Sequence, residues 1–434
     1  LESRINIFWF RRDLRFDDNA GLYNALNAAS PVLPLFIFDT DILNKLDSKN
    51  DRRVDFIHRS LADLDQQLKK LGSSLLVLHG NPNDVWKKIL RQYKIESVFT
   101  NHDYEPDAIK RDADITKLLQ QKGITFNSFK DQVIFEKNEV VKPDGKPYTI
   151  FTPYSKVWLS KFSPAELRDY SIKKLKDNFF RFTSSMPTLE SIGFSKTDVT
   201  FPSAEINQDI IQKYDSTRDY PSIEGTSRLG VHLRFGTVSI RKLVRIAYEL
   251  NSTFLKELIW REFFMMILYH FPYSAAASFK PQYDRIKWLN SETDFEAWCS
   301  GKTCYPIVDA GMRELNSTGF MHNRVRMITA SFLTKHLLID WRWGERYFAD
   351  KLLDYELSSN AGNWQWAAGT GCDAAPYFRV FNPAIQMKKF DPDLEYVKKW
   401  VPEYSDPSAY PPPIVDHAFA RSRALSAYKK ALGK

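Results

Sequence analysis

In the run KELIWREFF, Glu257 and Trp260 stand three residues apart on a predicted helix, so their side chains share one face. A carboxylate beside an indole can hydrogen-bond a base edge while the ring stacks on the base. Arg261, four residues beyond Glu257, equally permits a plain ion pair along an amphipathic helix. In GFMHNRVRMITASFL, Asn323 and Arg324 each share a face with Met327, four and three residues away. Asparagine brings both a donor and an acceptor, and methionine packs softly on an irregular apolar ligand. A helix-capping Asn and a core Met would leave the same pattern. Arg326 points off that face and is free to meet an acid such as Asp354.

Two further runs carry unusual company. DYELSSNAGNWQWAAGTGCDAAPYFRVFNP places Asp354, Tyr355 and Glu356 ahead of Asn360, then Trp364 and Trp366 among glycines that allow close approach of a flat ligand. In EGTSRLGVHLRFG, Thr226, Ser227 and Arg228 are expected to open a helix, where hydroxyls and backbone N–H groups suit phosphate. Tryptophan is uneven along the chain. Trp9, Trp86 and Trp158 are alone in the first 200 residues, and the other eight lie between Trp260 and Trp400. Such crowding suits stacking or electron transfer, although core packing explains any one of them equally well.

Positioning these residues requires two kinds of scaffold. Ile5–Phe10, Val32–Asp39, Ser74–His79 and Ser97–Asn101 read as buried strands, with helical spacing in Arg53–Leu71 and Asn83–Tyr93 between them. That alternation predicts an α/β domain with a doubly wound parallel sheet over residues 1–130, whose ligands would sit beyond the strands' carboxyl ends. Arg11, Arg12, Asp13, Asp39, Asn101 and Asp103 fall there, and no G-x-G-x-x-G is present. Residues 131–202 read as a long connector with a turn at Pro143-Asp144-Gly145. Residues 203–434 read as an all-helical domain with helices over Leu255–Tyr269, Tyr305–Asn316, His322–Leu338 and Trp343–Leu353.

Composition bounds the class. With 434 residues, 43% hydrophobic and 26% charged, the chain can bury a sizeable core, which excludes disorder as its dominant state. There is no apolar run of membrane-spanning length. The opening LESRINIFWFRRDLR has arginines where a signal peptide needs apolar residues, so an intracellular protein is expected. Three cysteines, Cys299, Cys304 and Cys372, have neither the number of a disulfide framework nor the spacing of a zinc site, and no metal is expected. A net charge of +8 suits a polyanionic partner only weakly.

Taken together, WFRRDLRFDDN, YTIFTPYSKVW, EGTSRLG, TGFMHNRVRMITASFL and NWQWAAGTGCDAAPYFRVFNPAIQ resemble the photolyase/cryptochrome flavoproteins over nearly the whole chain. The likeness is strongest to bacterial class I cyclobutane pyrimidine dimer photolyases. It implies a Rossmann-like antenna domain, a helical FAD- and DNA-binding domain, and light-driven splitting of pyrimidine dimers by an electron from excited reduced FAD. The flavin site it implies comprises Tyr214, Thr226, Ser227, Arg228, Leu229, Gly230, Phe254, Arg326, Asp354, Tyr355, Glu356 and Asn360. Gly230 stands where Ser is usual, and Glu356 where Asp is common. Asn360 would face flavin N5 and favour the reduced anionic form.

Lesion and DNA contacts implied by the resemblance are Arg218, Glu257, Trp260, Arg261, Asn323, Arg324, Met327, Trp366 and Gln386. Glu257 would bond the dimer, donating only if protonated, a form that burial favours. Trp260 and Trp366 would flank the extruded dimer. Trp364, Trp341 and Trp288 match an electron relay running from flavin to surface. Histidines of the (6-4) type are absent where Asn323 and Met327 stand, and the adjacent His322 reads as structural. Repair is therefore expected over a cryptochrome-like photoreceptor role. Arg11, Asp39, Arg53 and Asp103 match an antenna pocket, and Asp107-Ala108 replaces the Asn-Glu pair of folate binders, so deazaflavin, FMN or FAD is expected over folate. The expected partner is damaged DNA, with no membrane. The protein is expected to be a monomer in a bacterial cytoplasm, associated with the nucleoid when on DNA.

Overall fold

The computed structural model describes residues 4–406, 408 and 410–433. They form two compact units whose segments interleave along the chain. The first is Leu1–Glu139, Ser160–Ile206 and Arg228–Ile246, and the second is Val140–Leu159, Asn207–Ser227 and Ala247–Lys434. The segment read as a connector is thus shared between them, and it contains a helix, Phe151–Lys161.

The first unit is built on a parallel sheet of β1 (Ile5–Phe10), β2 (Val32–Asp39), β3 (Leu76–Gly80), β4 (Ile95–Asn101) and β5 (Thr125–Phe129), in the order β3-β2-β1-β4-β5. All six residues of β1 are buried, as a central strand covered on both faces requires. β1 and β2 have the bounds their apolar runs predict. The fifth strand is an addition. Its residues TFNSF are exposed or half-buried at the sheet edge, so they lack the apolar run that marks the others. Ile7, Trp9, Leu35, Trp86 and Val98 share one core. A buried ion network joins Arg15, Asp18, Asp131 and Arg241 across distant parts of this unit, with Arg241 bonded to both acids.

The second unit is helical. Its core joins Trp298, Met312, Phe332, Trp341 and Trp364, all almost fully buried. The helix expected over His322–Leu338 divides into Asn323–Ser331 and a wider π turn, Phe332–His336. Within that turn Lys335 is buried and donates to the carbonyls of Ala368 (2.8 Å) and Tyr377 (3.2 Å). Burial pushes its amine well below the ordinary lysine range. No described helix is long and apolar enough to cross a membrane.

Two of these helices cross at Gly344. A Cβ there would lie 2.1 Å from the Trp364 ring and 2.6 Å from Leu333, so Trp341–Lys351 and Leu357–Ala368 approach closely only because the residue has no side chain. Gly344→Ala should destabilise the protein by about 1–3 kcal/mol through overpacking. Thermal unfolding beside the unchanged chain measures this.

Candidate functional site

The site grows from the Ser252–His270 helix. Asn251 caps it, its side-chain oxygen accepting from the N–H groups of Thr253 and Phe254 at 3.0 Å each. This fixes the first turn, and with it the buried Phe254, whose ring meets Tyr214 edge-on at 5.0 Å. One turn further on, Glu257 accepts from the Arg218 guanidinium at 2.6 Å. The neighbouring Asp219 lies 3.9 Å from Arg218 and 2.5 Å from Arg324. Glu257, Arg218, Asp219 and Arg324 thus form a chain of alternating charge. Burial would lower the Arg218 guanidinium's pKa, but Glu257 above all lifts it beyond the ordinary value. Burial and then the Glu257 charge raise the Tyr214 phenol, which stays neutral.

Glu257 already has a partner here, since it accepts from Arg218. One expectation is corrected. Arg261, expected at the DNA, is turned inward with its side chain 11% exposed, and pairs with the buried Glu356 at 3.4 Å. The i,i+4 Glu257–Arg261 pair that spacing allowed therefore gives way to two partners distant in sequence. Asp219 was missed altogether. It follows Arg218 directly, and only the fold brings it to Arg324.

Asn323–Ser331 supplies the next wall. His322 caps this helix, accepting from the Arg324 N–H at 3.2 Å, so Asn323 is its exposed first residue and not its cap. Arg326 donates to the Met321 carbonyl at 2.7 Å and to Asp354 at 3.0 Å, the pairing its sequence position allowed. One cavity is lined by Asn323, Arg326, Met327, Asp354, Asn360 and Trp366, among others. Residues expected for the cofactor and residues expected for the lesion therefore meet in one space. Asn360 commits its amide nitrogen to Glu345, at 3.0 Å from the backbone oxygen and 2.9 Å from Oε1. Burial raises the Glu345 carboxyl above its usual range. Gln386 lies half-buried on Pro383–Phe390.

The expected phosphate element differs in detail. Its helix begins at Gly230, not at Thr226, and runs only to Phe235. Thr226 and Ser227 belong to the second unit, whereas Arg228, Leu229 and Gly230 belong to the first. Arg228 is exposed and adopts φ 51°.

Trp364 and Trp341 are buried, at 2% and 1% exposure, and Trp288 is half-buried at the margin of the same core. Of the three residues of the expected relay, Trp288 alone is only half-buried. Trp366 is half-buried at the cavity. Trp260, also half-buried, has Phe151 stacked on its ring.

In the first unit, all four residues expected for an antenna already have polar partners. Arg11 bonds Asp112 and the Asn101 carbonyl, and Arg53 donates to both carboxylate oxygens of Asp51, at 3.0 and 2.6 Å. Asp39 accepts from the Asp41 N–H at 2.8 Å. Asp103 pairs with Arg12 at 3.2 Å. Burial alone would raise the Asp103 carboxyl, but Arg12, Arg11 and Arg111 together hold it well below the usual range. Among the described residues, no cluster of three or more His, Cys, Asp or Glu could hold a metal ion.

Two family models match the chain. Residues 6–171 match the family DNA photolyase, and residues 254–409 match the FAD binding domain of DNA photolyase. The chain belongs to the photolyase/cryptochrome family. It is 35% identical to the deoxyribodipyrimidine photo-lyase of Halobacterium salinarum, over 99% of this chain and 100% of that protein. It is 36% identical to that of Escherichia coli, over 98% of each. Among solved structures, a bacterial class III photolyase from Agrobacterium tumefaciens superposes with a TM-score of 0.89 at 32% identity, covering 100% of this chain and 99% of that one. An archaeal photolyase from Sulfolobus tokodaii, solved with two FAD molecules, gives 0.85 at 36%, covering 98% and 99%.

The cavity residues suit FAD on their own chemistry. Asp354 Oδ1 is buried in this wall without a hydrogen-bond partner, which is costly unless a ligand satisfies it. Arg326 brings positive charge to the same wall. Asp354→Ala should therefore lower flavin occupancy, by about tenfold or more in affinity for a lost charge-assisted contact. The flavin-to-protein absorbance ratio after gel filtration reads it.

Proposed function

We propose that this chain repairs DNA in a light-driven reaction, splitting cyclobutane pyrimidine dimers. The observation that carries the reading is the shared cavity: Asn323, Met327 and Trp366 line the same space as Arg326, Asp354 and Asn360. A lesion and a flavin would meet in that space. When bound, reduced FAD supplies the photoexcited electron that opens the cyclobutane ring and is afterwards returned.

The protein's part is to bind, orient and keep the site dry. Arg326, Asp354, Tyr355, Glu356, Asn360, Tyr214, Phe254 and the Thr226–Gly230 run hold the cofactor in this reading. Glu257 bonds the extruded dimer after exchanging its contact with Arg218, and the released guanidinium serves the DNA backbone. Arg324 makes the corresponding exchange from Asp219. Trp260 and Trp366 flank the dimer, and Gln386 meets the strand beside it. Trp364, Trp341 and Trp288 return electrons from the surface to the flavin. Arg11, Asp39, Arg53 and Asp103 form an antenna site for a flavin-like chromophore. The relative solved with two FAD molecules supports that class of ligand over folate. A monomer in a bacterial cytoplasm, associated with the nucleoid when bound to DNA, completes the proposal.

The decisive experiment mixes reduced protein with dimer-containing oligothymidine and follows thymine absorbance under blue light. Recovery only in the light is expected. Bound flavin with no recovery on single- or double-stranded substrate would instead favour a photoreceptor. Glu257→Ala should lower the repair yield while leaving flavin bound, and an unchanged yield would remove its role at the lesion. Trp288→Phe should block photoreduction of oxidised flavin but spare repair by enzyme reduced beforehand. Loss of repair in the pre-reduced variant would assign Trp288 a different task. Affinity for DNA should fall as salt rises, because phosphate contacts release counterions.

A further inference from the structure

The Phe151 and Trp260 rings are stacked nearly parallel, with centroids 3.7 Å apart and planes 7° apart. Phe151 thus covers one face of the indole. Phe263 meets Trp260 edge-on at 5.6 Å, and Phe264 lies at 5.4 Å with planes 29° apart. Phe151 is itself held on two sides. Its ring is buried and packs edge-on against Phe263 at 5.8 Å, and its N–H donates to Asp373 Oδ2 at 2.9 Å. That N–H is one of the orphan donors of a helix start, so Asp373 caps Phe151–Lys161 from a distant part of the chain.

The same helix is pinned again two turns later. Trp158 Nε1 donates to the buried Glu262 Oε1 at 2.5 Å, and Tyr154 packs on Phe263 at 5.2 Å. Phe151, Tyr154 and Trp158 follow i, i+3, i+7 spacing, so a single face of the helix lies along Ser252–His270. Asp373 also lies seven residues after Trp366. The segment that leaves Trp366 is therefore tied, through Asp373 and Phe151, to Trp260.

We propose that Phe151 and Asp373 are positioning residues that fix the ring plane of Trp260, so that one indole face alone is offered to the lesion. Without the stack, Trp260 regains rotamer freedom and must pay for its ordering when the dimer binds. The proposal rests on the reading that Trp260 contacts the dimer.

The test measures dark affinity of flavin-bound protein for dimer-containing and intact oligothymidine, together with near-ultraviolet circular dichroism of the stacked indole. Phe151→Leu and Asp373→Ala should each weaken dimer binding about three- to tenfold, the range an aromatic pair supports. Both should reduce the indole dichroism while flavin content and affinity for intact DNA stay constant. Phe151→Tyr keeps the ring and Asp373→Asn keeps an acceptor, so both should restore dimer affinity. Equal weakening for dimer and intact DNA, or unchanged dimer affinity in Phe151→Leu, would overturn the proposal. Trp260→Ala separates the two levels. If it weakens dimer binding and Phe151→Leu does not, the positioning role alone fails. If Trp260→Ala has no effect, the lesion contact and the positioning role fail together.

Discussion

Removing charge from water is the constraint on which the second unit's architecture depends. Each ion taken from water into the protein costs several kcal/mol unless a partner of opposite sign meets it. Around the cavity the partners are found by folding: Arg326 with Asp354, Arg261 with Glu356, Arg218 with Glu257, and Arg324 with Asp219. These pairs differ in burial, and the difference sorts their roles. Arg261 and Glu356, at 11% and 6% exposure, belong to the wall itself. Asp219, at 40%, stands where solvent and a polyanion can reach it. Arg324 and Arg218 thus keep their charge beside partially exposed carboxylates, with side-chain exposures of 18% and 23%.

The aromatic residues answer a different requirement. Trp364 touches Trp298 and Phe348 edge-on at 6.0 and 5.0 Å, and the absence of a side chain at Gly344 makes room for its ring. Such packing gives the indoles little freedom to move. Fixed rings in a dry core suit electron transfer because little around them reorganises when charge passes. The same rigidity makes the core intolerant of added volume.

How far the sequence could be read follows from the range of each interaction. The apolar runs of β1 and β2 are local, and their bounds emerge correctly. β5 is polar at a sheet edge, and its strand character comes from pairing with β4. The helix read over His322–Leu338 contains the right residues, but its π turn reflects the carbonyls of Ala368 and Tyr377 that capture Lys335, neither of which spacing can announce. Arg326 with Asp354 was legible because few acids lay within reach of that face. Glu257 with Arg218 was not, since its rival Arg261 stood at a textually closer and equally permitted position. Phe151 was hidden for a related reason. It lies in a stretch whose polar and basic residues read as a connector, and its partner is a ring more than a hundred residues away.

Position 360 shows how a functional residue can be chosen from behind as well as from the cavity. Glu345 is bonded to Asn360 and half-buried, with its carboxyl raised toward the neutral form. The Asn360 amide donates to both its backbone and side-chain oxygens. An aspartate at 360 would bring a second carboxylate against Glu345, and two acids at that distance cannot both ionise cheaply. One would take a proton, and the group facing the cavity would change protonation with its neighbour. The amide avoids this. Its donor end satisfies Glu345 and its carbonyl end remains for the cavity, fixed in sense and carrying no titrating charge. Beside Glu345, asparagine therefore gives position 360 a fixed donor and acceptor with no titrating charge.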